Sequence, residues 1–189
     1  DEPGEARRLT DLPRGVTGFE WSPDGKRLVV VSTSHAATYA DDARRRGRDA
    51  KPGPGEPPDS DYRFIDRLDY MLNGVGFIYD RITHLWLVDA GTGAATRLTD
   101  GPVSDDEPAW SPDGSQIVFS AESVPGIFVI AADGSDVRRL TDRGGWDLLP
   151  VWSPDGAWIA FTSDRGATPE QQTANRSGDD VTGFALYLM

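Results

Sequence analysis

The side chains able to do bond-making chemistry are few in this sequence. It contains two histidines, His35 and His84, and no cysteine. Acid–base or nucleophilic work by an imidazole needs a hydroxyl or carboxylate held beside it, and neither histidine has a paired acidic motif, so they indicate neither a triad nor a metal site. His84 stands at the entrance to the apolar run Leu85-Trp86-Leu87-Val88, where a structural hydrogen bond is its expected role. His35 opens a polar loop and is expected in solvent. The acidic cluster Ser104-Asp105-Asp106-Glu107 lacks the spacing of a calcium loop and reads as a capped turn. Asn175-Arg176-Ser177 fits a glycosylation acceptor only formally. Gly91-Thr92-Gly93 lies between strands rather than before a helix, so it does not read as a phosphate cradle. No catalytic residue, metal ligand or cofactor site emerges from these residues.

The elements around them are far better defined. Trp-Ser-Pro-Asp-Gly occurs three times, as Trp21, Pro23, Asp24 and Gly25; Trp110, Pro112, Asp113 and Gly114; and Trp152, Pro154, Asp155 and Gly156. A Leu-Thr-Asp triplet precedes each copy, and its Leu lies 12 residues before the Trp every time. A fixed period is the signature of a repeat architecture. Within one unit, Ser-Pro-Asp-Gly has type I turn chemistry, with Pro setting φ at the second position. Alternating β-branched and aromatic residues follow at 115–121 and 127–130, and Asp136–Thr141 supplies a fourth segment. Four short antiparallel strands repeating after 42 residues describe a blade of a β-propeller, and the fold class is all-β. The broad Trp rings are expected to fill the gaps between neighbouring blades, where smaller residues would leave cavities.

The spacing divides the chain as one propeller segment over 1–189. Residues 5–10 match an orphan fourth strand; a first blade covers 17–99 with an insertion over 34–80; a second covers 107–141; and an incomplete third covers 149–189 with an insertion over 166–183. About three blades with ragged ends resemble a segment of something longer. The first two Trp residues are 89 apart, against 42 for the next pair, which locates about 47 additional residues in the first blade. Residues 38–62, rich in Asp, Arg, Pro and Gly, read as a surface loop. Residues 63–80, with Asn73-Gly74 at the turn, read as an extra hairpin. Both insertions fall between second and third strands and should emerge on one rim. Loops gathered on one face are where repeat proteins place contacts. Arg44, Arg45, Arg46, Arg63 and Tyr79 are the candidates for rim or partner contacts, although Asp41, Asp42 and Asp49 offset much of that positive charge.

The formal charge of −12 argues against a nucleic-acid partner, whose phosphates require clustered cations. No apolar run approaches the length of a membrane span. The lack of cysteine excludes disulfides and fits a reducing compartment, so a cytoplasmic location is expected, with the periplasm or secretion as alternatives.

Trp-Ser-Pro-Asp-Gly followed by an alternating strand resembles the repeats of TolB-like propellers and of prolyl-oligopeptidase-family serine peptidases. Gly4–Trp21, Ile65-Asp66-Arg67-Leu68-Asp69-Tyr70, Gly74-Val75-Gly76-Phe77 and Thr83–Asp89 resemble the acylaminoacyl-peptidase branch of the second group. The resemblance implies a propeller that covers an α/β-hydrolase domain, restricts access to short or N-acylated peptides, and leaves catalysis to that domain. The hydrolase carries the nucleophile elbow, and this sequence contains no Gly-x-Ser-x-Gly. Implied partners are the hydrolase domain and a peptide substrate. The alternative is a TolB-like or stand-alone propeller acting as a protein-binding scaffold. Association of copies through open end blades is a third option.

Overall fold

A computed structural model describes residues 5–12, 15–34, 71–72, 76–77, 82–101, 103–122, 124–142, 144–177 and 182–189. The Ser-Pro-Asp-Gly turns set its organisation. In the first, Ser22 Oγ donates to Asp24 Oδ1 (2.7 Å) and to the Arg27 carbonyl (2.9 Å), while the Arg27 amide donates back to Ser22 Oγ (2.9 Å). Ser111 with Asp113 and Gln116, and Ser153 with Asp155 and Trp158, repeat the interlock. Gly25, Gly114 and Gly156 close the turns at φ of 68°, 71° and 70°, a left-handed conformation that costs glycine little. Each turn therefore folds the chain back into a hairpin in a fixed register.

Three sheets result. The first has the order β1 (Gly18–Trp21), β2 (Arg27–Ser34), β5 (Ile82–Asp89), β6 (Ala95–Arg97). The second is the meander β7 (Asp105–Trp110), β8 (Gln116–Ala121), β9 (Gly126–Ala131), β10 (Arg138–Arg139). The third joins β11 (Asp147–Trp152), β12 (Ile159–Ser163) and β13 (Ala185–Leu188). All pairings are antiparallel. Between β2 and β5, the strands β3 (Met71–Leu72) and β4 (Gly76–Phe77) pair across the Asn73-Gly74 position, inside the expected hairpin. The rest of that hairpin, the loop 38–62, His35, Arg44, Arg45, Arg46, Arg63 and Tyr79 lie outside the described residues.

The Leu-Thr-Asp triplets close the outer edge of each sheet. Thr99 Oγ1 accepts from the Leu85 amide (3.0 Å) and Thr141 Oγ1 from the Ile127 amide (2.9 Å), both buried. Arg97 and Arg139 donate from Nε to the carbonyl of the Thr two residues on. Arg8 makes the same bond to Thr10, yet residues 5–12 form no strand. A fourth strand needs a third one beside it, and none is present there among the described residues. The segment nevertheless occupies a fourth strand's place: Leu9 lies against Gly93 as Leu98 lies against Gly134 in the next sheet.

Apolar side chains fill the gaps between sheets. Val29, Val31 and Leu85 of the first sheet meet Trp110, Ile117, Phe119 and Ile130 of the second. Ala109, Val118 and Ile127 then meet Ile159 and Phe161 of the third, with Trp152 and Tyr187 packed alongside. The opposite face of the first sheet, Leu28, Val30 and Val88, is covered in part by Leu9 and Leu12. Trp110 is 5% exposed and lies inside an inter-sheet core, whereas Trp21 is 52% exposed, because no four-stranded sheet precedes it among the described residues. The same ring at the same repeat position is buried only where a neighbouring sheet closes over it.

One helix, α1 (Pro169–Ser177), interrupts the third sheet between β12 and β13. The insertion over 166–183 carried a visible signal for it. Thr168 Oγ1 accepts from the Gln171 amide (3.3 Å) and Gln171 Oε1 from the Thr168 amide (2.9 Å). This reciprocal pair is a capping box, with Pro169 preset at the first helical position. Among the described residues no helix is long and apolar enough to cross a membrane.

Candidate functional site

Within each sheet the first strand runs toward its Trp-Ser-Pro-Asp-Gly turn and the second runs back. The starts of β7 and β11 therefore share a rim with the ends of β2 and β12, where both insertions emerge. Polar residues gather on this rim, and the sequence reading singled out only some of them.

The cluster expected as a capped turn is instead the opening of strand β7. Asp105 is buried, and its Oδ2 lies 3.6 Å from Nδ1 of His84, which is fully buried on β5. Neither ring nitrogen of His84 has a hydrogen-bond partner among the described residues, so in place of the expected structural hydrogen bond the ring faces the Asp105 carboxylate across the gap between sheets. The ring is enclosed, and no hydroxyl is bonded to it among the described residues. Two residues on, Glu107 takes φ 53°, and Leu149 has the same angle at the equivalent position of the third sheet. Both coincide with a register shift in the ladder, a bulge that re-aims the side chain. Glu107 Oε2 accepts from the Leu149 amide (2.6 Å) and from Ser120 Oγ (2.8 Å). Glu20 does the corresponding work one sheet earlier, its Oε2 accepting from the Trp110 amide (2.9 Å). Burial holds Glu20 above the ordinary carboxylate range, and the Trp110 amide offsets part of that rise. Desolvation, then the charges of Asp106 and Glu107, raise Glu122. Glu20 and Glu107 thus stitch one first strand to the next.

The third sheet has a denser polar anchor. Asp147, 1% exposed, takes the place that Asp105 has in the second sheet, and Arg165 Nη2 donates to both of its oxygens at 2.8 Å. The guanidinium lies 4.9 Å from the ring centroids of both Phe161 and Tyr187. Its neighbour Asp164 accepts from the Trp146 amide (2.6 Å) and from Asn175 Nδ2 (3.0 Å). Asn175, 2% exposed, also donates to the Thr182 carbonyl and accepts from the Thr182 amide, both at 2.9 Å. Helix α1 is thus held to the rim by an amide spent entirely on internal bonds, and this leaves no free amide nitrogen for a glycan. Asp147, Asp164 and Arg165 were missed by sequence reasoning, and Asn175 was singled out only as a formal glycosylation acceptor. The one signal was for Asp147, which aligns with Asp105, both five residues before a Trp.

On the opposite rim the turns stack on one another. A Cβ on Gly114 would lie 3.6 Å from Pro23 Cδ, and one on Gly156 would lie 3.7 Å from Pro112 Cδ. The Asp side chains of the turns are exposed. Bonds from Ser111 and Ser115 hold Asp113 down to about 2, and corresponding serine and backbone donors lower Asp24 and Asp155. No group of His, Cys, Asp or Glu suited to a metal ion is found among the described residues.

The repeated sheets define a partial β-propeller. No family model matches the chain. It is 35% identical over 120 residues to YuxL of Bacillus subtilis (strain 168), named as an uncharacterized peptidase. That match covers 64% of this chain and 17% of YuxL. TolB from Acinetobacter baumannii superimposes with a TM-score of 0.52 at 21% identity, over 85% of this chain and 30% of that one. The acylaminoacyl peptidase of Pyrococcus horikoshii gives 0.50 at 18% identity, over 79% of this chain and 21% of its own. The two structures show the fold, and the chain spans a minor part of each relative. The two structures bear out the propeller fold expected from the sequence, and the match to YuxL is to a protein named as a peptidase.

Proposed function

We propose that this chain is a non-catalytic propeller portion of a serine peptidase that acts on short or N-acylated peptides. In this reading it docks on an α/β-hydrolase domain and forms part of the wall that limits substrate access. The observation that carries the proposal is the 35% identity to the peptidase YuxL over 120 residues, of which the chain spans 17%. The rim supports it physically. Two insertions emerge there, and helix α1 of the second is tied to the rim of the third sheet through Asn175, which bonds Asp164 and Thr182. A projection anchored in this way can exclude large substrates by shape.

The test compares this chain alone with a chain carrying the same residues joined to the downstream coding sequence. The isolated segment should release no product from acetyl-alanyl-p-nitroanilide. The extended protein should do so and should lose rate as the peptide lengthens. Turnover by the isolated segment that survives replacement of His35 and His84 would overturn the proposal. So would an extended protein that lacks a hydrolase domain, an outcome that favours a TolB-like binding scaffold.

A further inference from the structure

The two gaps between successive Trp-Ser-Pro-Asp-Gly turns are built alike but filled differently. In the first gap Arg27, six residues after Trp21, places its guanidinium carbon 5.2 Å from the centroid of the Trp110 ring. Arg27 is also one of the groups that lower Asp24, the carboxylate of the first turn. In the second gap the equivalent of Arg27 is Gln116, six residues after Trp110, and the equivalent ring is Trp152. Register confirms the equivalence: Trp21 pairs with Leu28 and Trp110 with Ile117, each one residue beyond the position compared. A neutral side chain thus stands where the first gap has its cation.

What remains is a cavity of about 280 Å³ bounded by Ser111, Asp113, Gln116, Trp152 and Asp155. Both bounding carboxylates are ionised well below neutral pH, Asp113 down to about 2. An aromatic face between two carboxylates attracts a flat cation, through the ring quadrupole and through paired N–H donors.

We propose that the gap between the second and third turns is a binding site for a guanidinium group, which would occupy there the position that Arg27 occupies in the first gap. The protein supplies its own template for the bound state. A guanidinium suits the site better than an ammonium, because it stacks flat on the ring while its edge donors reach the carboxylates. The ligand is either the arginine side chain of a polypeptide or a small free guanidinium compound. The site lies on the rim opposite the two insertions and stands independently of the peptidase reading.

The test follows the indole N–H resonances of the 15N-labelled chain during titration with guanidinium ion, N-acetyl-arginine amide, an arginine-containing tripeptide and its citrulline counterpart. Trp152→Phe assigns the responding resonance. Millimolar, saturable binding of the arginine ligands and at least about tenfold weaker binding of citrulline is expected, a difference of about 1.4 kcal/mol. Gln116→Arg rebuilds the first gap in the second, so it should fold normally and weaken the arginine ligands by a similar factor. Tighter binding of the tripeptide than of the free ion assigns a polypeptide arginine; equal binding assigns a small compound. Citrulline binding as well as arginine, or undiminished binding by Gln116→Arg, would overturn the proposal, as would no response at Trp152.

Discussion

Replacing Asn175 with Ala should unfasten the helical insertion from the third sheet. The side chain is 2% exposed and makes three hydrogen bonds, one to the Asp164 carboxylate and two to the Thr182 backbone. A neutral bond contributes about 0.5–1.5 kcal/mol net, and one to a charged group about 1.5–3. The Thr182 groups are half-buried and can recover water, which lowers their share. Asp164 is 1% exposed and keeps its bond from the Trp146 amide, so it is weakened rather than orphaned. The sum is about 2–4 kcal/mol, or a fall of about 5–15 °C in Tm for a domain of this size. Urea unfolding followed by tryptophan fluorescence measures the loss, and protease sensitivity over 166–183 locates it. Asn175→Asp keeps the acceptor but sets a second carboxylate against Asp164, so it should be worse than Ala at pH 7. A loss below about 1 kcal/mol for Asn175→Ala, or an Asp variant as stable as wild type, would refute the reasoning.

Three further outcomes follow from the packing and the turns. Trp110→Ala should cost about 3–5 kcal/mol, because it empties an inter-sheet core, while Trp21→Ala should cost under about 1 kcal/mol; chemical denaturation of both variants checks the contrast. The folded state holds Asp113 at about 2 against an ordinary 3.8. A depressed carboxylate stabilises the fold above its unfolded value, and the contribution disappears as pH falls through the folded one. Wild type should therefore lose part of its advantage over Ser111→Ala between about pH 4 and 2, the remainder resting on the Ser111–Gln116 bonds, as read from melting curves across that range. Gly93 has φ 76°, and a Cβ there would lie 2.2 Å from the Leu9 carbonyl oxygen. Gly93→Ala should detach residues 5–12, speeding tryptic cleavage at Arg7 and Arg8 while the three sheets remain intact.

Much of the scaffold was legible because it is local and repeated. Ser-Pro-Asp-Gly fixes a turn through bonds that span no more than five residues, and the period of 42 then sets strand order and the position of each insertion. Residues 5–12 show where that logic stops: the Arg-Leu-Thr unit keeps its internal bond, but a strand requires a ladder partner from elsewhere. Helix α1 was legible in principle, through Thr168-Pro169-Glu170-Gln171. It was overlooked beside a strong β pattern.

The sequence by itself determined the repeat, the turns, the strand alternation and the absence of a nucleophile elbow, all properties of adjacent residues. Only the tertiary structure decided which copies of a repeated residue differ. Trp110 is enclosed while Trp21 is half open; Asp105 faces a histidine while Asp147 grips Arg165; Arg27 fills one gap while Gln116 leaves the next vacant. These distinctions arise because burial and charge pairing depend on the neighbouring sheet, and the neighbour of each residue lies tens of positions away along the chain.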